Sequence, residues 1–107
     1  MAYFAELPLD FTRKLDEFYT DIEKGTVTLE CEINKENTKC IWKRYGRGEI
    51  IVPDNKFRIE SEGRIQRLIV SNLELDDQQN IACIALKNNE EIVSTSGRII
   101  VNCNCFD

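Results

Sequence analysis

Apolar and polar residues alternate along most of this chain. Val27, Leu29, Cys31 and Ile33 fall between Thr26, Thr28, Glu30 and Glu32. A two-residue period places the first set on one face of a strand and the second on the other. The same alternation recurs at Cys40/Trp42, Phe57/Ile59, Leu68/Val70, Ile81/Cys83/Ala85 and Ile99/Val101. Asp16 to Lys24 is the one stretch with helical character, but it is short and carries Tyr19-Thr20-Asp21-Ile22, which predicts an irregular edge strand ending at Gly25. Turn chemistry fills the gaps. Asn34 to Thr38 is polar, Tyr45-Gly46-Arg47-Gly48 supplies two glycines suited to positive φ, Ser61-Glu62-Gly63 predicts a hairpin, and Asn88-Asn89-Glu90 separates the last two strands. Six or more short strands at this spacing predict an all-β fold of two packed antiparallel sheets, not a helical bundle.

Composition narrows the activity. At 107 residues, 42% of them hydrophobic and 31% charged, the chain suffices for one core and is too short for two. With 14 Lys and Arg against 19 Asp and Glu the net charge is -5, which argues against nucleic acid or an anionic membrane as partner. Histidine is absent, which removes Ser-His-Asp and Cys-His nucleophiles and imidazole metal ligands. The opening Met1 to Glu6 does not read as a signal peptide, the longest apolar run is Ile81 to Leu86, and no Asn-x-Ser/Thr acceptor occurs.

Candidate chemistry is thin. Asp76-Asp77 and Glu90-Glu91 are paired carboxylates, but neighbours on a strand or turn point in different directions. Asp77 is better read as a turn residue bonding backbone or pairing with a base such as Arg58, and Glu90-Glu91 as a solvated loop. Gly46-Arg47-Gly48 is too short for a phosphate loop. Cys103-Asn104-Cys105 lacks the spacing and the partners of a zinc site. Cys103 continues the inward phase of Ile99 and Val101 and is expected to cap the core, with Cys105 free beyond it. Cys40 shares the phase of Trp42 and is expected as a small core side chain. No catalytic residue, cofactor, metal or small-molecule substrate is expected.

Cys31, then Trp42 eleven residues on, then Cys83 resembles the Cys…Trp…Cys arrangement of the immunoglobulin fold. Gly25-Thr26-Val27-Thr28-Leu29-Glu30-Cys31 resembles the G-x-x-V-x-L-x-C strand of its intermediate set, Glu62-Gly63 with Leu68-Ile69-Val70 resembles the E-G…L-x-I hairpin, and Asp77 with Cys83 matches the ends of the D-x-G-x-Y-x-C corner. Phe11 to Leu15 and Asn55 to Arg64 are similar to segments of the intracellular immunoglobulin domains of giant muscle proteins such as titin, obscurin and twitchin. The resemblance implies an immunoglobulin-like Greek-key β-sandwich over residues 11–102, linker residues at 1–10 and 103–107, and a core containing Leu29, Cys31, Trp42, Leu68, Val70 and Cys83. It leaves Cys31 and Cys83 as a disulfide or as two reduced core thiols, with reduced the default in the cytosol. Two departures stand in the corner, where the family's tyrosine is Ile81 and its glycine Gln79, predicting a weaker corner.

The implied function is a non-enzymatic, load-bearing and docking module of a sarcomeric scaffold, cytoplasmic, with neighbouring immunoglobulin or fibronectin domains among its protein partners. The alternative is an extracellular adhesion or receptor domain with Cys31 and Cys83 bonded. Two docking surfaces are expected. One is the basic turn Lys43, Arg44, Tyr45 and Arg47, rich in interface-favoured Arg and Tyr. The other is a sheet edge formed by the first and last strands, with Phe11, Thr12 and Arg13 on one and Arg98 and Ile100 on the other.

Overall fold

A computed structural model describes residues 8–44 and 48–103. Nine strands form in chain order: β1 (Phe11–Arg13), β2 (Phe18–Ile22), β3 (Val27–Ile33), β4 (Lys39–Arg44), β5 (Glu49–Ile50), β6 (Phe57–Glu62), β7 (Ile65–Val70), β8 (Asn80–Lys87) and β9 (Glu90–Asn102). A 3-10 helix at Leu75–Asp77 separates β7 from β8. A four-stranded sheet runs β1-β3-β7-β6 and a five-stranded sheet runs β2-β9-β8-β4-β5. The two sheets make the all-β sandwich that the alternation predicts, in the immunoglobulin-like arrangement that the resemblance implies.

Register follows from the apolar phase. Leu29 lies opposite Leu68 and Val27 opposite Val70 in one sheet, while Trp42 lies opposite Cys83 and Cys40 opposite Ala85 in the other. Paired residues share a face, so each match delivers two apolar side chains to the same layer. Leu29, Cys31, Ile33, Trp42, Leu68, Val70, Ile81, Cys83 and Ile99 are almost wholly buried between the sheets. Each large side chain withdrawn this way contributes about 1.5–3 kcal/mol before entropy is counted. A shift of β3 by one residue would put Thr28, Glu30 and Glu32 into that layer instead.

Two turns are sharper than expected. Gly63, at φ 59°, opens the two-residue link from β6 to β7. Asn88 and Asn89 sit at φ 54° and 64° and form the whole link from β8 to β9. Asparagine tolerates the left-handed region, and two successive positive φ values match the twist of a hairpin. Glu90 and Glu91 therefore begin β9 and are not a loop.

The N-terminal segment crosses from one sheet to the other. β1 pairs with β3, and five residues later β2 pairs in parallel with β9. The crossing is pinned where Leu15 N–H donates to Thr95 Oγ1 at 3.1 Å and Asp16 N–H donates to Tyr19 Oη at 2.8 Å. Gly97 makes room for it: a Cβ there would stand 2.6 Å from the Asp16 carbonyl and 2.9 Å from the Tyr19 ring. Close approach of backbone to backbone is what the missing side chain permits.

Four expectations are corrected. Arg98 and Ile100 are not on an edge, because β9 is flanked by β2 and β8, with Arg98 opposite Phe18 on one side and Asn80 on the other. Cys103 is exposed and does not cap the core, since the buried phase ends at Val101. Leu9, expected in a linker, is buried in the core, and Asn34 holds the segment before it by donating to the Pro8 carbonyl at 2.8 Å. Asp77 pairs with Lys56 at 2.8 Å, while Arg58 pairs with Glu60.

Candidate interaction site

The corner before β8 shows how the chain replaces a missing tyrosine. Asp77 is buried, accepts the Glu74 N–H at 2.7 Å and faces the Lys56 ammonium. Gln78 Oε1 accepts the Val101 N–H at 3.1 Å, and Ile99 N–H donates to the Gln79 carbonyl at 2.9 Å. Ile81, at the position of that tyrosine, is fully buried. These polar links tie the corner to β9 without a phenolic hydroxyl.

Cys31, Cys40 and Cys83 are free thiols. Cys31 and Cys83 are buried, and Cys40 is half-buried against the core. The neighbouring Cys31 and Cys40 thiols, together with burial, push the Cys83 pKa far up. The Cys83 thiol in turn holds Cys40 below the ordinary thiol value against the opposing effect of burial. Buried and protonated, Cys83 is a packing residue and a poor nucleophile. Among the described residues, no group of three or more Cys, Asp or Glu is placed to hold a metal ion.

The basic turn is brought together only in part. Tyr45 and Arg47 lie outside the described residues. Lys43 points to the outer face of the five-stranded sheet and pairs with Glu91 at 3.1 Å. The Arg44 guanidinium sits 5.0 Å from the centre of the Phe57 ring, a cation–π contact with the opposite sheet. Both residues border a groove of about 440 Å³ with Gly48, Ala82, Ile84, Glu91 and Ser94. Both charges are thus engaged within the domain.

The two outer faces differ. On the four-stranded sheet Glu30 accepts from Arg13 and, at 2.6 Å, from Arg67, which also reaches Glu62 at 3.1 Å. Two guanidiniums hold the Glu30 carboxyl below its usual pKa, and Glu30 in turn raises both arginines. At the rim Thr12 donates to Glu32 at 2.8 Å. Phe11 is buried, and the pairing of β1 shifts register between Phe11 and Arg13. All three β1 residues named from the sequence are therefore committed to their own sheet. The five-stranded sheet instead exposes apolar side chains: Phe18 is 52% exposed, Ile22 47%, Ile50 55% and Ile92 46%.

β2 is the edge that sequence reasoning placed correctly as a strand but did not name as a docking site. Arg98 N–H donates to the Glu17 carbonyl and Glu23 N–H to the Asn102 carbonyl, both at 2.9 Å. In a parallel ladder alternate residues turn both backbone groups to the same neighbour. Glu17, Tyr19, Asp21 and Glu23 therefore face β9, and Phe18, Thr20 and Ile22 face away. Ile22 is already closed off, because its N–H donates to Asp21 Oδ1 and its carbonyl accepts from Gly25. Phe18 and Thr20 keep an open side. The sequence signal was present: Phe18, Thr20 and Ile22 form a two-residue period without Lys or Pro, the usual guards of an edge.

Comparison with known proteins agrees with this architecture. The family model described as the immunoglobulin I-set domain matches residues 9–100. Cardiac-type myosin-binding protein C of Gallus gallus is 31% identical over 74 residues, which cover 64% of this chain and 6% of that protein. The chain thus spans a small fraction of the length of the curated relatives it matches. Among solved structures, an I-band fragment of titin superposes with a TM-score of 0.79 at 23% identity, covering 90% of this chain and 33% of that one. One chain of a complex between a titin domain and an obscurin-like immunoglobulin domain gives 0.80 at 15% identity, covering 92% of this chain and 98% of that one.

Proposed function

The chain belongs to the immunoglobulin I-set family, and from that premise we propose that it is a non-enzymatic structural module of a muscle scaffold, carrying load along its length and docking other proteins in the cytoplasm of the myofibril. The observation that carries this reading is the parallel ladder between β2 and β9, five residue pairs from Phe18–Arg98 to Ile22–Asn102. One strand lies near the start of the chain and the other near its end. Tension on the two ends draws them past each other along their length, so that all the ladder bonds are loaded together and none opens first. Such a bond set raises the barrier to unfolding, and the slower unfolding rate that results governs the response to force.

Other observations support the muscle setting. The names of the relatives, cardiac-type myosin-binding protein C and titin, come from muscle proteins. A titin domain joined to an obscurin-like immunoglobulin domain supports a docking role for this kind of sandwich. Free thiols at Cys31 and Cys83 fit a reducing compartment.

Single-molecule pulling on tandem copies of the chain tests the load-bearing half. Asp21→Pro removes an N–H that faces β9, whereas Thr20→Pro removes one that does not. The unfolding force is expected to drop markedly for Asp21→Pro and to stay near wild type for Thr20→Pro; equal forces for all three proteins would overturn the reading. For the compartment, alkylation of Cys31 and Cys83 after denaturation without reductant is expected in protein taken from muscle cells.

A further inference from the structure

We propose that the open side of β2 is a docking edge for an extended, basic segment of another protein, which adds as a sixth strand beside Phe18 and Thr20. This deepens the docking half of the proposed function and rests on it.

Backbone geometry sets the site. Phe18 and Thr20 direct their N–H and carbonyl groups away from β9, and no donor or acceptor among the described residues closes them. An incoming strand finds four hydrogen-bonding groups over three residues. The Phe18 ring, half-exposed on the outer face, offers apolar area to a side chain of that strand. A shallow cavity of about 230 Å³ lies beside it, lined by Glu17, Asn80, Ser96, Gly97 and Arg98. The site is bounded. At one end Asp21 and Gly25 close off Ile22, and at the other the chain turns away at Asp16 toward the opposite sheet.

Charge selects the occupant. Asp16, Glu17, Asp21 and Glu23 supply four carboxylates and no cation over eight residues. None of them enters an ion pair among the described residues, whereas Glu30, Glu32, Glu60, Glu62, Asp77 and Glu91 all do. The nearest cations, Lys14, Lys24 and Arg98, stand at the two ends of the strand or one strand inward. A strand lying along the free side of β2 therefore runs beside acids. A second copy of this edge would bring eight carboxylates together and is disfavoured, because like charges placed opposite each other on paired strands destabilise the pair. A segment alternating apolar residues with Lys or Arg satisfies the ladder, the Phe18 ring and the charge at once.

The probe is a synthetic octapeptide of alternating Val and Lys, set against its Val and Glu counterpart. Amide hydrogen exchange is read by NMR on the whole chain. The Val–Lys peptide is expected to slow exchange at Phe18 and Thr20 at least tenfold, to lose that effect in high salt, and to leave Tyr19 and Asp21 unchanged. The paired variant Glu17→Lys, Glu23→Lys leaves two carboxylates against two ammoniums along the strand and is expected to remove the preference for the Val–Lys peptide that the wild-type chain shows. Thr20→Pro is expected to abolish protection at Phe18 with the unfolding midpoint unchanged. No slowing of the wild-type chain by either peptide, equal slowing of it by both, or slowing centred on other strands overturns the proposal. These outcomes leave the pulling experiment untouched, so failure of the edge and failure of the load-bearing reading are separable.

Discussion

Glu30 on the four-stranded sheet is held by two arginines, while Asp16, Glu17, Asp21 and Glu23 along the edge of the five-stranded sheet have no ion-pair partner among the described residues. The first surface satisfies its own charges. A lattice of Arg13, Glu30, Arg67 and Glu62 leaves little for a partner to neutralise, and of its two edge strands β1 is three residues long with a register shift, which blunts further pairing there. The second surface carries exposed apolar side chains and a regular edge. Both are built from the same alternation of in and out, so the difference lies in which residues face outward and what stands beside them. A surface that is charged and self-paired resists docking, and one that is apolar, acidic and open at its backbone invites it.

The largest expected effect removes the crossing that joins the two surfaces. Gly97→Val places side-chain atoms where the Asp16 carbonyl and the Tyr19 ring already stand, and a loss of about 3 kcal/mol is expected in urea unfolding. Release of β2 from β9 is expected with it, seen as fast exchange at Tyr19 and Asp21.

A smaller effect is expected at the corner. Lys56→Met leaves the buried Asp77 carboxylate without its cation and should cost about 1–2 kcal/mol, less than a fully buried pair because Lys56 remains partly in contact with solvent. A shift of the urea midpoint without a change in slope would check it.

The charged lattice makes a pH-dependent contribution. Glu30 titrates below its ordinary value when folded, so the stability it brings is fully present above the unfolded glutamate pKa of about 4.3 and is lost as pH falls through the depressed folded value. Asp54, lowered by the N–H groups of Phe57 and Lys56, adds to the acid slope of the wild type. Glu30→Gln is therefore expected to be less stable than wild type at pH 7 and to show a shallower decline on acidification, with the two curves converging at low pH. Because the Glu30 side chain keeps 31% of its surface in contact with water, the difference at neutral pH is expected to be modest and to shrink in high salt.

The smallest effect is expected on the apolar face. Ile92→Ser should change stability by no more than about 0.5 kcal/mol, since the side chain is half-exposed and outside the core. A larger loss would mean that this face is part of the packed interior.

Much of this architecture was legible in the residues. A period of two with Cys31, Trp42 and Cys83 at its buried positions predicts strands, faces and a two-sheet core, because burial imposes that period directly. What sits beside a strand is less legible. Arg98 and Ile100 alternate as they would on an edge or in the middle of a sheet, and only the path of β2 across Gly97 decides that they are covered. Partner choice fails in the same way: Lys56 and Arg58 share a charge and are two residues apart, and the turn at Asp54 and the 3-10 helix determine which of them meets Asp77. Leu9 and Cys103 show that the limits of the buried phase follow from where neighbouring chain covers it, not from the phase itself.

Load bearing and docking both depend on the orientation of the β2 backbone, with one side bonded to β9 and the other open. Residue-resolved amide hydrogen exchange along this strand tests it directly. Slow exchange at Tyr19 and Asp21 with fast exchange at Phe18 and Thr20 is the predicted pattern; equal rates at all four amides, or the reverse alternation, would contradict it.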